Sequence, residues 1–329
     1  MRLVIFVFSL CLLATLAGGR AMAAPDGSPA DPHLQFVGRW DKSNPTEYHS
    51  YWTAPYLRAG FTGRSVGIRL AEGTMLTVSI DGETPRTVNA GAGVTPLNTA
   101  PLAPGRHTLL VGGAAQNEEV RFQGLVLEPG ASTFALPVRP LIEFVGDSIT
   151  AGGADNYAWL SAEALGCDHA QIAFSGVALT SGYGCSSTVG QDVMFFRLKN
   201  YNHSEEVPPV PWSFSDTPRL VVVNLGQNDQ CGSEPADVMT ASYARFLRHL
   251  RAVYPRTNLV ALRPFGGAYA ASIRQVVAAV RASGDARVQF VNTTGWLAPT
   301  DFRDGIHPNT VGNQKVAAHL APLLKPLLK

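Results

Sequence analysis

Two strings far apart in the chain contain residues whose types and spacing suit acyl chemistry. Phe144-Val145-Gly146-Asp147-Ser148-Ile149-Thr150 puts a serine on a tight turn after an apolar run, and Asp304-Gly305-Ile306-His307-Pro308-Asn309 puts an aspartate three residues before a histidine. Together they supply a nucleophile, an orienting acid and a base in the chain order Ser, Asp, His. A serine hydroxyl is a weak nucleophile at neutral pH. It needs an imidazole to take its proton, and that imidazole needs a carboxylate to fix its tautomer. Ser148, Asp304 and His307 are therefore the expected catalytic residues, with an acyl-enzyme forming on Ser148. The carbonyl oxygen also needs donors as it becomes tetrahedral. The Ser148 N–H, the Gly176 N–H after Ala173-Phe174-Ser175, and the Asn228 amide in Gly226-Gln227-Asn228-Asp229 are the expected oxyanion hole. Asp147 and Asp229 read as residues that pin their own turns.

These residues must be brought together by the elements around them. After Pro137-Val138-Arg139-Pro140, apolar runs at Leu141–Val145, Ala170–Phe174, Leu220–Leu225, Asn258–Leu262 and Val288–Val291 alternate with helix-like segments at Tyr157–Leu165, Pro235–Val253, Ala268–Ala282 and Asn313–Leu328. Near-continuous apolar strands with intervening helices predict a parallel sheet covered on both faces. In such a sheet ligands bind beyond the carboxyl ends of the strands. Ser148, Gly176, Asn228 and the Asp304–His307 pair each follow a predicted strand, so four polar loops converge on one rim. The Ser148 N–H is expected to open a helical turn there.

The amino-terminal half has another texture. Val66, Ile68 and Leu70 alternate with polar residues, as do Leu76, Val78 and Ile80 ahead of Asp81-Gly82. His107–Val111 and Val120–Leu127 follow, with Gly and Pro between runs. Short alternating strands at this spacing predict an all-β sandwich. The expected domains are a β-sandwich over residues 31–136 and an α/β domain over residues 139–329.

With the motifs in order, the chain resembles the SGNH hydrolases of the GDSL esterase/lipase superfamily. Gly146-Asp147-Ser148 falls on that family's first block, Gly176 on its second, Gly226 to Asp229 on its third and Asp304 with His307 on its fifth. The fold this implies is a three-layer α/β/α parallel sheet. The β-rich half, placed before Ile149-Thr150-Ala151-Gly152, Ala173-Phe174-Ser175-Gly176 and Asn224-Leu225-Gly226-Gln227-Asn228-Asp229, further resembles carbohydrate esterase family 2. Members of that family join a jelly-roll-like domain to an SGNH domain and remove acetyl groups from xylan and other plant polysaccharides. Some of them lack the orienting acid, which is kept here as Asp304. Gln227 stands where Thr or Ala is common. The resemblance implies an O-deacetylase of the acetylxylan esterase kind. A broad ester hydrolase or lipase, and a non-catalytic carbohydrate-binding protein, are its rivals. The absence of an apolar lid segment favours the deacetylase.

The remaining residues bound the reading. Arg2, the apolar run Leu3–Leu16 and Ala21-Met22-Ala23 before Ala24-Pro25 have the order of a secretory signal spanning residues 1–23, with cleavage after Ala23. Export to the medium or a periplasm is expected, with no membrane association of the mature form. Removing Arg2 and Arg20 from 26 basic residues leaves 24 against 25 acidic ones, a charge of −1, so nucleic acid is not an expected partner. An acetylated polysaccharide or oligosaccharide is the expected partner, and a monomer the expected state. No Cys-x-x-Cys or histidine-rich pair suggests a metal, and the mechanism asks for no cofactor. Cys185 and Cys231 each follow a predicted strand on the same rim, whereas Cys167 precedes one, so Cys185 is expected to pair with Cys231. Trp212 and Trp296 lie in loops near the presumed rim, where they are candidates for stacking on sugar.

Overall fold

The computed structural model describes residues 25–116 and 118–329. The expected leader, residues 1–23, lies outside the described residues.

The amino-terminal half is a sandwich of two antiparallel sheets. One sheet runs Gln35–Val37, Tyr56–Thr62, Arg106–Gly113, Thr74–Ile80, Arg86–Ala90, with Thr133–Phe134 added against Tyr56–Thr62. The other runs Asp41–Asn44, Glu47–Ser50, Val120–Leu127, Val66–Leu70, Gly93–Pro96. Alternation explains their faces. Val66, Ile68 and Leu70 from one sheet meet Leu76, Val78 and Ile80 from the other in a shared core, while Arg69 and Met75 on the opposite faces are exposed.

The carboxyl-terminal half holds a five-stranded parallel sheet in the order Asp168–Ala173, Leu141–Gly146, Leu220–Asn224, Asn258–Leu262, Val288–Val291. The expected class, a three-layer α/β/α sheet preceded by an all-β sandwich, is what the structure holds. Six helices accompany the sheet: α1 (Tyr157–Ala164), α2 (Gln191–Met194), α3 (Gln227–Cys231), α4 (Ala236–Val253), α5 (Ala270–Ala282) and α6 (Thr310–Leu324). Successive strand residues point to opposite faces. Ile142, Phe144 and Val222 pack with Tyr157, Val316 and Leu320 from α1 and α6, while Val145, Val221 and Val223 pack with Phe246, Leu250 and Val276 from α4 and α5.

Strand order decides where the loops gather. Gly146 is in register with Ala173 on one side and Asn224 on the other, so three strands end at one level. The chain reverses its direction of winding between Leu141–Gly146 and Leu220–Asn224, and the loops after those two strands diverge to open faces there. Ser148 follows the first strand and Asn228 the second.

The halves are joined by buried polar contacts. The Trp52 indole donates to the Leu198 carbonyl at 2.8 Å, and the Thr53 hydroxyl donates to the Ala173 carbonyl at 2.8 Å. Arg58 meets Asp168 at 3.0 Å, with the Tyr56 hydroxyl donating to the same carboxylate at 3.1 Å. Through Thr53 the sandwich reaches the carboxyl end of a strand in the parallel sheet, two residues before Ser175.

Candidate active site

Each presumed reacting side chain owes its position to a local device. At the nucleophile turn, Gly146 has no side chain because Thr150 folds back against it. The Asp147 carboxylate accepts the Ile149 N–H at 2.9 Å, and the Asp147 carbonyl accepts the N–H groups of Thr150 and Ala151. Ser148 opens one helical turn, closed by the Ala151 N–H on the Asp147 carbonyl, and the turn does not run on into a helix, since α1 starts only at Tyr157. The chain is redirected in between by Asn156, which donates to the Ile149 carbonyl at 3.1 Å and caps α1 through the Ala158 N–H. Beneath the turn, the Tyr157 hydroxyl lies 2.8 Å from the Thr150 hydroxyl and accepts from Asn224 at 3.3 Å, linking the turn to the neighbouring strand end.

The histidine loop is fixed from both ends. Asp301 is held by Lys315 of α6 at 2.7 Å, and its carbonyl accepts the Asn309 N–H at 2.8 Å. Asn309 in turn caps α6 through the Gly312 N–H. Between them, Asp304 Oδ1 accepts the N–H groups of Ile306 and His307, and Asp304 Oδ2 lies 2.7 Å from His307 Nδ1. His307 Nε2 lies 2.8 Å from Ser148 Oγ. The His307 backbone N–H, helped by its imidazole, holds the Asp304 carboxyl well below the usual carboxylate range. An ionised Asp304 only accepts, so Nδ1 carries the ring proton and Nε2 turns its lone pair to the serine hydroxyl. Ser148, His307 and Asp304 thus form one continuous hydrogen-bonded line.

The presumed oxyanion donors flank this line on adjacent strand ends. Neither the Ser148 nor the Gly176 N–H finds an acceptor among the described residues. Gly176 has φ +74°, and the Ser186 hydroxyl occupies the space that a Cβ would fill, so only glycine serves there. The Asn228 amide donates to the Val177 carbonyl at 3.2 Å and faces the Asp147 carboxyl. Burial pushes that carboxyl up to about 7, against the pull of the Ile149 N–H. Asp229 reaches across to the segment after Gly176, its two oxygens accepting the Leu179 and Thr180 N–H groups at 3.0 Å.

Beside Ser148 and His307 lies a cleft of about 230 Å³, lined also by Gly152, Asp155, Arg303 and Asn309. Arg303 and Asp155 were not singled out by their local sequence. Arg303 was within reach of such reasoning, since it directly precedes Asp304. Gln191 was not. Its buried amide donates to the Gly146 and Ile172 carbonyls at 3.0 and 3.1 Å, tying the ends of two strands from a position well beyond both. Among the described residues no group of three His, Cys, Asp or Glu side chains is placed to hold a metal ion.

The structure does not bring the two candidate sugar-stacking tryptophans to this cleft. The Trp212 ring lies 5.4 Å from the buried Arg39 guanidinium. Trp296 stacks on His319 of α6 at 5.2 Å and packs against the Phe144 core. Each ring already has a protein partner for its face.

A family model of the GDSL-like lipase/acylhydrolases matches residues 144–315, which takes in Ser148, Gly176, Asn228, Asp304 and His307. The chain belongs to the GDSL-like lipase/acylhydrolase family. Residues 36–137 match the model of the carbohydrate esterase 2 N-terminal domain, over the sandwich that precedes the acylhydrolase region. Among known proteins this chain is 27% identical to the cellulase/esterase CelE of Acetivibrio thermocellus, over 90% of its length. The chain spans 39% of that relative's length. Among solved structures it is similar to a family two carbohydrate esterase from Clostridium thermocellum in complex with cellohexaose, at 25% identity and a TM-score of 0.75, covering 90% of this chain and 99% of the other. An acetyl xylan esterase from Butyrivibrio proteoclasticus shares the fold, with a TM-score of 0.76 at 18% identity, over 92% of this chain and 98% of the other.

Proposed function

We propose that this protein is a serine ester hydrolase that removes O-acetyl groups from polysaccharides or oligosaccharides. The observation that carries the reading is the line Asp304–His307–Ser148, at 2.7 and 2.8 Å, beside two backbone N–H groups without acceptors among the described residues. His307 takes the Ser148 proton as the hydroxyl attacks the ester carbonyl, then returns it to the leaving sugar hydroxyl. The Ser148 and Gly176 N–H groups receive the oxyanion, and the Asn228 amide, which also faces the Val177 carbonyl and the Asp147 carboxyl, completes the set. Water repeats the sequence on the acetyl-enzyme and releases acetate.

The character of the cleft supports a small acyl group on a polar alcohol. Its volume is about 230 Å³, and Asp155, Asn156, Arg303 and Asn309 give it a polar lining. A lipase would need a long apolar groove at this point. The family two esterase solved in complex with cellohexaose supports a glycan as the class of substrate. Export is part of the proposal: the Leu3–Leu16 run with Ala21-Met22-Ala23 has the order of a signal, and the Cys185–Cys231 disulfide suits an oxidising compartment.

The test is acetate release from acetylated xylan and glucomannan, together with aryl esters of increasing acyl length. Turnover should be greatest for acetyl and collapse by butyryl or longer, and Ser148→Ala should abolish it without unfolding the protein. Rates that rise with acyl length would favour a lipase. Glycan binding without any Ser148-dependent turnover would favour a binding protein.

A further inference from the structure

Cys185 and Cys231 are bonded, with Cα atoms 5.5 Å apart and a separation of 46 positions in sequence. Both lie at the surface, so the bond fills no core. What it joins is specific. Every near neighbour of Cys185 in the run Gly184–Ser187 touches Gly176. The Ser187 hydroxyl donates to the Gly176 carbonyl at 3.1 Å, Ser186 sits against the Gly176 Cα, and Gly184 is packed so close to the Gly176 carbonyl that a Cβ there would lie 3.0 Å from it. Cys231 ends α3, one turn after Asn228, and Gly232 beyond it abuts the Tyr183 backbone. The two sides also meet directly, since Asn228 donates to Val177 and Asp229 accepts from Leu179 and Thr180. The loop carrying Gly176 and the helix carrying Asn228 therefore form one body, bolted on its outer side by the disulfide.

Resting on the hydrolase reading, we propose that the Cys185–Cys231 disulfide is a positioning element for the oxyanion hole, holding the Gly176 N–H and the Asn228 amide in register with Ser148. The Ser148–His307–Asp304 line is fixed by other contacts and does not depend on it. The bond accordingly serves turnover more than substrate affinity.

The experiment is a four-protein cycle with an aryl acetate: the native protein, Cys185→Ser/Cys231→Ser, Asn228→Ala, and all three substitutions together. In the native background Asn228→Ala should lower kcat by about 10²–10³-fold. Losing the disulfide should lower kcat by about 10–100-fold, as small displacements of donors do, with KM changed less than about threefold. In the disulfide-free background Asn228→Ala should cost less than about 10-fold, because coupled residues do not act additively. Equal Asn228→Ala factors in both backgrounds, or full kcat without the disulfide, overturn the proposal. Should the serine pair fail to fold, the folded native protein is reduced with dithiothreitol, which closes to its cyclic disulfide and passes two electrons and two protons to the cysteine sulfurs. Its kcat should fall and then recover on reoxidation at constant circular dichroism. Unchanged kcat after measured release of both thiols overturns the proposal while leaving a working hydrolase. Absence of Ser148-dependent turnover in the native protein overturns both readings.

Discussion

Asp304 grips His307 twice: Oδ1 accepts its backbone N–H at 2.8 Å, and Oδ2 faces Nδ1 of its ring at 2.7 Å. The acid is exposed at the surface, unlike the buried acid of many triads, so the loop itself supplies the rigidity that burial gives elsewhere. Gly305, with φ +83°, lets the chain turn back within three residues so that one carboxylate reaches both atoms. Its depressed pKa keeps it ionised through the mildly acid range.

Asp304→Asn separates the two grips. The amide oxygen can still accept the Ile306 and His307 N–H groups, but the amide nitrogen offers Nδ1 a donor. The ring must then carry its proton on Nε2, against Ser148. We expect kcat/KM to fall by about 10³–10⁴-fold at unchanged thermal stability. A variant keeping more than a tenth of the native rate would show that the loop backbone alone orients the imidazole.

Gly176→Ala addresses the oxyanion side. A Cβ at φ +74° would be strained and would strike the Ser186 hydroxyl. The peptide must rotate or shift, carrying its N–H away from the carbonyl oxygen. A loss in kcat of about 10²-fold is expected. Adding Ser186→Ala should recover part of that loss by removing the collision. No recovery in the double variant would trace the defect to backbone strain alone.

Much of the fold was legible because its signals are long or local. The run Leu220-Val221-Val222-Val223-Asn224-Leu225 has no polar face to expose, and such a strand can only lie between two helical layers. The helices α4 and α5 extend far enough to show an apolar stripe. By contrast α2 and α3, at four and five residues, are shorter than two turns and leave no periodicity to read. The residues proposed for the chemistry sit in compact strings, and strand order brings those strings to one rim. What a loop aromatic faces depends on residues far away in sequence. Trp212 could not be separated from a sugar platform until Arg39, well over a hundred positions earlier, was found against it. The partners of Gln191 also lie far from it in sequence.

Arg39 is the densest polar contact between the two halves. Its buried guanidinium donates to the Phe195 and Arg197 carbonyls at 2.5 and 2.7 Å and lies 3.4 Å from Glu143. The rings of Trp52, Phe195, Trp212 and Phe214 surround it. Burial pushes the Glu143 carboxyl up even with this partner. Arg39→Ala would strand that carboxylate, and urea unfolding should report a loss of about 3–5 kcal/mol. Glu143→Gln in the same background should restore a good part of it. A loss below about 1 kcal/mol would show that water reaches the site and that the pair contributes little.

Asp147 gives the protein a pH-dependent stability with a definite sign. Its folded pKa, raised by burial to about 7 from 3.8, means that the folded state keeps a proton which the unfolded chain releases from about pH 4 upward. The folded state therefore binds more protons across that window, and stability must fall as pH rises from about 4 to about 7, then level off. The span corresponds to at most about 4 kcal/mol. Asp147→Asn keeps an acceptor for the Ile149 N–H and removes the titration. The difference in unfolding free energy between native and variant proteins should decline over pH 4–7 and be flat above it. A difference that is constant with pH would mean that Asp147 is ionised throughout, with its charge met by the Ile149 N–H and the Asn228 amide.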